Sequence, residues 1–550
     1  MSKKHVNAIV VGAGAGGGIV AKELAVAGLS VVLFERGDWV NYDQHDDDEL
    51  ISQRTTVLGN AFGPDDERHR RVVVYNDGKP RIVLPSEGGY GNNAACVGSG
   101  TVSYGAMAWR FMEKDFKMKS AYGNIEGSTM EDWPIDYFDL EPFYEKAEWE
   151  IGVAGDHYAN PFMAPRKKSY PMPAFAYNRE AKMLDKAARN LGLHPFSIPM
   201  LRNSVRYNGR PACYRMRSCV GFACPVNAKC GTHNTVIPTA IKSGNCELRT
   251  NCQVAEIILD NKGKANGVKY FDENDQGQIQ TADIVVVAAA AVETARLLLN
   301  SKNKLFPNGA GNNNDWVGRN LQGHAYTGAL GLFKDEIFDD VGPGACWAIS
   351  DYNHDNEGII GGGALCNSFT TMPYLFTKTR PPGAKRWGLE HKEFQRNKFK
   401  RIVKIHGPFQ EIPNFDSRVT IDPNVKDHWG IPTVRLSGER HSYDRIGCQF
   451  LSDRAEEILK EAGAYHTWQN VGGRGLSGGQ HQAGTARMGN DPKTSVTNKF
   501  GQVHDIDNLL VADGSLCVTN GGFNPALTIM ALGYYVGDYI VKNWNGSKFR

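Results

Sequence analysis

The sequence contains no hydrophobic run long enough to cross a membrane. Its most apolar stretch, residues 284–292, lies between Asp283 and Glu293 and is far shorter than the roughly 20 residues of a membrane-spanning helix. The first residues, MSKKHVNAIVV, lead directly into a predicted strand and show no secretory signal. We therefore expect a protein that does not span the membrane and that is cytoplasmic, or periplasmic only if it is exported with a partner.

A strong charge of either sign is also missing. The 62 Lys and Arg residues nearly balance the 60 Asp and Glu residues, so the net charge is +2. This balance gives no electrostatic case for a nucleic-acid partner. The 550 residues, of which 41% are hydrophobic, predict a globular protein with two or more domains.

Cysteine is sparse along most of the chain. Four of the 11 cysteines lie close together in residues 213–230. We expect the other seven to be reduced core residues, because they are scattered: Cys96, Cys246, Cys252, Cys346, Cys366, Cys448 and Cys517.

Glycine, in contrast, is concentrated near the start of the chain. Gly12, Gly14 and Gly17 have the G-x-G-x-x-G spacing between an apolar run at residues 8–11 and a helical pattern. Such glycines allow a tight turn, close approach of a pyrophosphate and close contact between helix and strand. Glu35 ends the next predicted strand, where an acid accepts hydrogen bonds from a ribose diol. The segment predicts a dinucleotide site but does not separate NAD from FAD.

Segments with an alternating strand and helix pattern are separated by a segment richer in aromatic residues and prolines. Residues 284–287 predict a buried strand, and a helical pattern follows through residues 293–299. Asp136 or Asp139 is expected to cap another helix. Residues 330–470 have more aromatics and prolines, which is typical of an antiparallel layer. We therefore predict a nucleotide domain built from separated segments and interleaved with a sheet-rich cap.

Five stretches, in order along the chain, resemble the glucose-methanol-choline (GMC) oxidoreductase family: GAGAGGGIVAKEL…VVLFERG, CVGSGTVSYGAMAWR, DWPIDYFDLEPFYEKAE, ADIVVVAAAAVETARLLLNS, and GGQHQAGTARMG…NLLVADGSLCVTNGGFNPALTIMAL. The resemblance implies that the dinucleotide is FAD. It implies an α/β fold in which a Rossmann-like FAD-binding domain (residues 1–110, 231–330 and 475–550) is interleaved with an antiparallel-sheet substrate-binding and cap domain (residues 111–230 and 331–474).

The resemblance also implies roles for individual residues. In the family, the residues matching Gly12, Gly14 and Gly17 hold the pyrophosphate and the one matching Glu35 holds the adenosine ribose. Further cofactor contacts are implied for Gly98, Ser99, Gly100, Thr101, Val254, Asp513 and Gly514. His481 matches the catalytic base, and Asn524 matches its partner.

These residue types suit the oxidation of an alcohol. The reaction removes the hydroxyl proton and transfers a hydride from carbon to the flavin. His481 is suited to accept the proton near neutral pH, and the Asn524 amide is suited to hold the same hydroxyl. A hydrogen-bonded structural histidine and a turn residue before Pro525 are the alternative interpretations.

Four interpretations of the clustered cysteines, Cys213, Cys219, Cys224 and Cys230, stay open. Thiolates are the usual ligands of iron–sulfur clusters, and some sugar dehydrogenases of the resembled family carry a cluster here, with similar but not identical spacing. A loop of buried thiols ranks equally. Zinc and a redox-active disulfide between Cys219 and Cys224 rank lower.

The resemblance is greatest to sugar-oxidising branches. It implies a sugar or glycoside oxidised at a secondary ring hydroxyl, first at carbon three, with carbons one and two next. Aromatic residues that could stack on a sugar ring are Trp347, Tyr352, Phe369 and Tyr374, although a core position is commoner for such residues. The electron acceptor would be oxygen, a quinone, a dye or a cytochrome, and a small accessory subunit is a further possible partner.

Three other functions remain as alternatives: an NAD-dependent dehydrogenase, a flavin disulfide reductase using Cys219 and Cys224, and a flavin-binding subunit without catalysis. His481 argues against the last of these, because a non-catalytic subunit needs no base.

Overall fold

The glycine-rich opening folds as its pattern predicts. A computed structural model describes residues 5–42, 48–54, 61–75, 77–91, 93–368, 372–479, 481–546 and 549. The described residues form the helices α1 (Gly17–Val26), α2 (Met118–Tyr122), α3 (Tyr137–Ala147), α4 (Arg179–Asn190), α5 (Val236–Lys242), α6 (Ala291–Asn300), α7 (Pro373–Phe376), α8 (Leu389–Lys398), α9 (Ser442–Glu461) and α10 (Ala526–Asn543).

The strands are β1 (His5–Val11), β2 (Val31–Phe34), β3 (Arg71–Val74), β4 (Pro80–Val83), β5 (Phe196–Ser197), β6 (Cys246–Arg249), β7 (Gln253–Leu259), β8 (Ala265–Phe271), β9 (Gly277–Val287), β10 (His324–Leu332), β11 (Trp347–Ile349), β12 (Leu365–Asn367), β13 (Ile402–Gln410), β14 (Arg418–Lys426), β15 (Pro432–Ser437), β16 (His466–Asn470) and β17 (Leu509–Val511).

The first sheet has the order β6–β2–β1–β9–β8–β7, and β17 also pairs with β9. Strands β6, β2, β1, β9 and β17 are parallel to one another, and β1 and β2 are almost continuously apolar and buried, as expected of a parallel sheet covered on both faces. Strand β9 is forked. Its first half pairs antiparallel with β8, and its last three residues pair with β17. The carboxyl ends of β1, β9 and β17 therefore meet at one edge.

The second sheet is antiparallel, in the order β16–β10–β13–β12–β11–β5. It confirms the antiparallel layer expected from residues 330–470. Helix α9 packs on β10 and β13 and buries apolar residues such as Leu451 and Ile458 against them. Strand β10 begins at His324 and carries Tyr326 two residues later, so both side chains lie on one face of the sheet.

A third, small sheet has the order β14–β15–β3–β4. Asp136 caps α3, because its side chain accepts a hydrogen bond from the Asp139 backbone N–H while Asp139 reciprocates. Among the described residues, no helix combines the length and the apolar character needed to cross a bilayer.

Candidate functional site

One cavity of about 530 Å³ is lined by residues of the parallel sheet at one end and of the antiparallel sheet at the other. Gly12, Gly14 and Glu35 lie on the first part of its wall, and Tyr326, His481 and Asn524 lie on the second. The structure thus brings the glycine turn and the predicted catalytic pair, which are far apart in sequence, into a single space.

The three glycines of the turn do different work. Gly12 has a φ of +102°, and a Cβ there would lie 2.4 Å from the Ala288 carbonyl oxygen. A Cβ on Gly17 would lie 1.9 Å from the Gly12 carbonyl oxygen, so Gly17 serves the contact of helix with turn and does not face the cavity. Gly14 does face the cavity, close to the start of α1, where free N–H groups favour a phosphate.

Glu35 lies at the carboxyl end of β2 and is buried. Its carboxylate accepts hydrogen bonds from the backbone N–H groups of Ala13 (3.0 Å) and Gly37 (3.1 Å). Burial raises its pKa despite these bonds. Glu35 therefore braces the glycine turn while lining the cavity, and Val254 of β7 lines the same end.

Residues 98–101 run beside the glycine turn, and the Gly98 N–H donates to the Ala13 carbonyl (2.9 Å). Ser99, Gly100 and Thr101 line the cavity. Gly98 stands behind them, with a φ of +93°, where a Cβ would lie 2.8 Å from His233.

Asp513 and Gly514 follow β17 and line the cavity near the same edge. The Asp513 carboxylate accepts hydrogen bonds from the Ser515 N–H (2.8 Å) and the Thr294 hydroxyl (2.6 Å), and burial raises its pKa.

These features fit an extended dinucleotide such as FAD. The glycine turn leaves the backbone open beside the N-terminus of α1, and the Glu35 carboxylate stands at the end of the second strand. The cavity continues from there to His481.

A largely buried ionic cluster in the wall of the nucleotide end had no signal in the sequence. Glu293 of α6 lies 2.7 Å from Arg71, 3.5 Å from Arg296 and 3.7 Å from Arg36, and Arg296 also pairs with Asp427 at 2.7 Å. Burial acts to raise the pKa of Glu293, but the three guanidinium groups outweigh it and hold the pKa far below the usual range. The contributing residues come from four separate parts of the chain, so no local pattern reveals the cluster.

The structure places His481 and Asn524 side by side at the other end. The Asn524 Nδ2 atom lies 3.3 Å from His481 Nε2 and donates to the Tyr326 hydroxyl at 3.0 Å. His481 has a φ of +64°, an uncommon backbone conformation for a residue with a side chain, and its carbonyl accepts a hydrogen bond from the Asn520 side chain.

A second histidine, His324, lies behind His481. The two Nδ1 atoms are 2.7 Å apart, and His324 Nε2 is 2.5 Å from the Gly521 carbonyl oxygen. Burial lowers the pKa of His324 to about 4. Burial, reinforced by His324 and Arg54, holds the pKa of His481 well below its ordinary value, so both imidazoles are neutral near pH 7.

Arg54, Tyr326 and His324 are site residues that sequence analysis missed. Arg54 lines the cavity, and its charge lowers the pKa of both His481 and Tyr326, although burial raises the pKa of Tyr326 overall. His324 is the one of the three whose residue type could have drawn attention, but a lone histidine in NLQGHAY is no motif.

The aromatic residues proposed for sugar stacking have other places. Trp347 is fully buried in the hydrophobic core between the antiparallel sheet and helix α9, and Tyr352 packs at the edge of this core against Phe450. Tyr374 is half-buried, and Phe369 falls outside the described residues. For Trp347 the structure supports the alternative of a core position, because strand β11 carries it into the core.

The clustered cysteines do not form a metal site as arranged. Cys213, Cys219 and Cys224 line a separate pocket of about 20 Å³, which has room for one or two water molecules and none for a cluster. Cys230 is outside this pocket and contacts Arg210 at 3.2 Å.

Two cationic side chains, Arg202 and Lys229, line the same pocket. Arg202 donates to Cys219 Sγ at 3.0 Å. Burial acts to raise the pKa of Cys219, but Arg202 and Lys229 lower it overall. All four cysteines are unbridged, and no group of three or more possible ligand side chains with a metal-binding arrangement occurs within the described ranges. The iron–sulfur, zinc and disulfide interpretations therefore lack structural support.

Comparison with known proteins agrees with this geometry. Residues 134–326 and 413–533 match the N- and C-terminal models of the GMC oxidoreductases. The chain is 30% identical to 2-methyl-1,2-propanediol dehydrogenase of Mycolicibacterium austroafricanum, with 99% of this chain and 96% of the relative covered. It is 27% identical to the fructose dehydrogenase large subunit of Gluconobacter japonicus, with 99% of each covered.

The fold is also that of a solved structure. Pyridoxine 4-oxidase from Mesorbium loti superposes with a TM-score of 0.63 at 14% identity, covering 97% of this chain and 98% of that one. With the family models, the full-length relatives and the shared fold together, the chain belongs to the GMC oxidoreductases, FAD-binding enzymes that act on CH–OH groups.

Proposed function

We propose that the protein oxidises a secondary ring hydroxyl of a sugar or glycoside, first at carbon three, to give a 3-keto sugar. The observation that carries the proposal is the pair formed by His481 Nε2 and the Asn524 amide, 3.3 Å apart, in a cavity shared with the nucleotide end. The named activity of the fructose dehydrogenase relative supports a sugar substrate.

The nucleotide end would hold FAD through the residues already described. Gly12 and Gly14 would lie against the pyrophosphate, with Gly17 and Gly98 supporting the turn from behind. Glu35 would accept from the adenosine ribose. Val254 would meet the adenine, and the remaining cofactor contacts would come from Ser99, Gly100, Thr101, Asp513 and Gly514.

In the reaction, His481 accepts the hydroxyl proton at Nε2 as a general base. Asn524 donates a hydrogen bond to the same hydroxyl oxygen and holds it in line with the base. Bound FAD would supply the acceptor for the hydride that leaves the carbon. Burial of the site excludes water, and the low pKa of His481 keeps it unprotonated at neutral pH.

The geometry of the pair suits a hydroxyl on a rigid ring, and carbon three is our first choice among such hydroxyls. The base and the amide hold one hydroxyl from two sides, which suits a rigid ring whose equatorial hydroxyl points outward. Oxidation at carbon one would require a free anomeric hydroxyl, whereas oxidation at carbon three tolerates an aglycone. The second candidate is oxidation at carbon one or two of an aldose, or of another polyol or alcohol, and the diol named for the Mycolicibacterium relative favours it.

The deciding assay compares glucose with methyl glucoside and identifies the product by NMR. We expect turnover of both and a keto group at carbon three. If methyl glucoside is inert while glucose is oxidised, the reacting carbon is carbon one. If neither sugar reduces the flavin but a simple diol does, the sugar assignment itself is wrong.

The final electron acceptor is part of the proposal: oxygen, a quinone, a dye or a cytochrome. One relative is named as the large subunit of its enzyme, which supports a search for a small accessory subunit here. Anaerobic reduction with substrate, followed by mixing with oxygen or with a quinone, separates an oxidase from a dehydrogenase by the rate of flavin reoxidation.

A further inference from the structure

The contact between His481 and His324 determines which nitrogen of each ring carries a proton. His324 is buried and His481 is partly buried, and burial lowers the pKa of both, so each carries one N–H. A carbonyl oxygen only accepts hydrogen bonds. His324 Nε2, at 2.5 Å from the Gly521 carbonyl oxygen, must therefore be the N–H of that ring.

The positions of the other imidazole protons follow from this hydrogen bond. With its proton on Nε2, His324 presents a bare Nδ1, which accepts a hydrogen bond. His481 Nδ1, at 2.7 Å, must then donate, so the single proton of His481 lies on Nδ1. Its Nε2 is left with a lone pair, and the Asn524 amide donates toward that atom at 3.3 Å.

Hydrogen bonds from one side chain tie together the two backbone segments that carry the rings. The Asn520 side chain donates to the carbonyl of His481 (3.0 Å) and to that of Gly323 (3.2 Å), the residue before His324. The loop that supplies the Gly521 carbonyl is itself confined, since a Cβ on Gly521 would lie 2.9 Å from the Phe111 ring.

Burial, more than the surrounding charges, lowers the pKa of both rings. Glu411 and Asp115 act to raise the pKa of His324, but burial and Arg440 outweigh them. Glu411 is itself paired with Arg440 at 2.5 Å. On the cavity side, Arg54 lowers the pKa of His481.

We infer that His324 is a positioning residue for the reaction: with the Gly521 carbonyl, it fixes His481 in the tautomer whose Nε2 carries the lone pair that takes the substrate proton. The inference rests on the proposed role of His481 as base. When Nε2 takes the proton, the Nδ1–H of His481 keeps its acceptor on His324, so the new imidazolium remains hydrogen-bonded on that side.

Two substitutions separate this role from simple packing. In His324→Asn, the side-chain oxygen is placed where His324 Nδ1 accepts from His481, but nothing reaches Gly521. In His324→Gln, the amide reaches the Gly521 carbonyl but leaves no acceptor opposite His481. Gln is closer in length to His, so packing alone predicts that it is the better replacement.

The experiment measures anaerobic flavin reduction by substrate in holoenzyme, together with FAD content and thermal unfolding. We expect His324→Asn to stay within about tenfold of the native rate, and His324→Gln and His324→Leu to be slower by about 10²-fold. Thermal stability should show the opposite order for the two amides, with Gln above Asn, because only Gln satisfies the buried carbonyl.

His481→Ala in the same assay separates the two proposals. If that variant reduces its flavin at the native rate, His481 is not the base and the proposed function fails. If it is slow but His324→Gln matches or exceeds His324→Asn in rate, His481 keeps its role and the tautomer role of His324 is wrong.

Discussion

The two ends of the central cavity are built in different ways. The nucleotide end is mostly one continuous segment, the strand–turn–helix–strand unit of residues 5–35. The catalytic end is assembled from residues 54, 324–326, 481 and 520–524. At the first end, glycines remove side chains so that backbone can approach a ligand. At the second, buried polar side chains orient one another.

This difference implies that damage at the two ends should have different consequences. A defect in the glycine turn should lower both the FAD content and the free energy of unfolding, because the turn packs against the ends of neighbouring strands. A defect at the catalytic end should cost the chemistry and leave the cofactor in place.

The largest expected effect is that of His481→Ala. Loss of the base should slow flavin reduction by about 10²- to 10⁴-fold, while the FAD content of the purified protein stays native, as measured by its visible spectrum. His466→Ala is the matched control, because His466 is an exposed histidine and its loss should change neither quantity. Loss of FAD from His481→Ala would contradict the expectation that a defect at the catalytic end leaves the cofactor bound.

Glu293→Gln tests the ionic cluster at the nucleotide end. Neutralising this buried carboxylate leaves Arg71, Arg36 and Arg296 without its charge, and we expect a loss of about 3–5 kcal/mol in the free energy of unfolding. Glu247→Gln is the control, since Glu247 is largely exposed beside Arg249 and should cost under about 1 kcal/mol. Equal losses in the two variants would contradict the expectation that the cluster around Glu293 stabilises the fold more than an exposed ion pair does.

The same cluster sets a pH dependence. The pKa of Glu293 is lower in the folded protein than in the unfolded chain, so its contribution to stability is present above the unfolded-state pKa and is lost as the pH falls through the folded-state pKa. The thermal unfolding temperature of the native protein should therefore fall as the pH is lowered into the acid range, and that of Glu293→Gln should fall less.

Gly12→Ala and Gly28→Ala form a matched pair at the first end. Both glycines have a positive φ, +102° and +92°, but only Gly12 lacks room for a Cβ; Gly28 has nothing within 4 Å. We expect about 1–2 kcal/mol of destabilisation and native FAD content in Gly28→Ala, and loss of FAD in Gly12→Ala. Full FAD occupancy in Gly12→Ala would show that the turn is not part of the cofactor site.

The smallest effect is expected from Arg54→Gln. The Arg54 charge helps to lower the pKa of His481, so its removal should raise that pKa and move the acidic limb of the kcat/KM profile to higher pH. Arg386→Gln, at an exposed position, should leave the profile in place. A shift to lower pH would contradict the arrangement of charges described for the catalytic end.

Sequence analysis was most successful where the determining residues are contiguous. The opening unit, the Asp136 cap and the antiparallel layer all depend on spacing within short windows, and each appears in the structure. The proximity of His481 and Asn524 was reached only through resemblance to a family, since nothing in their local sequences indicates that they meet.

The remaining features depend on contacts between distant segments. His324 and Tyr326 reach the site because β10 pairs with β13 and β16, and Glu293 becomes a buried ion only when α6 packs near β3. The open choice between an iron–sulfur cluster and a loop of thiols has the same origin: cysteine spacing is visible in the sequence, but the separation of Cys230 from the pocket of the other three is not.

The fork in β9 has a consequence for how the protein is made. β1 finds its second neighbour only when β9 has been synthesised, and β17, which completes the edge carrying Asp513, is among the last strands to leave the ribosome. Because non-local contacts form slowly, the nucleotide end cannot be completed until β9 and β17 have both been synthesised and have paired. The glycine turn is therefore made long before the segment that finishes its site.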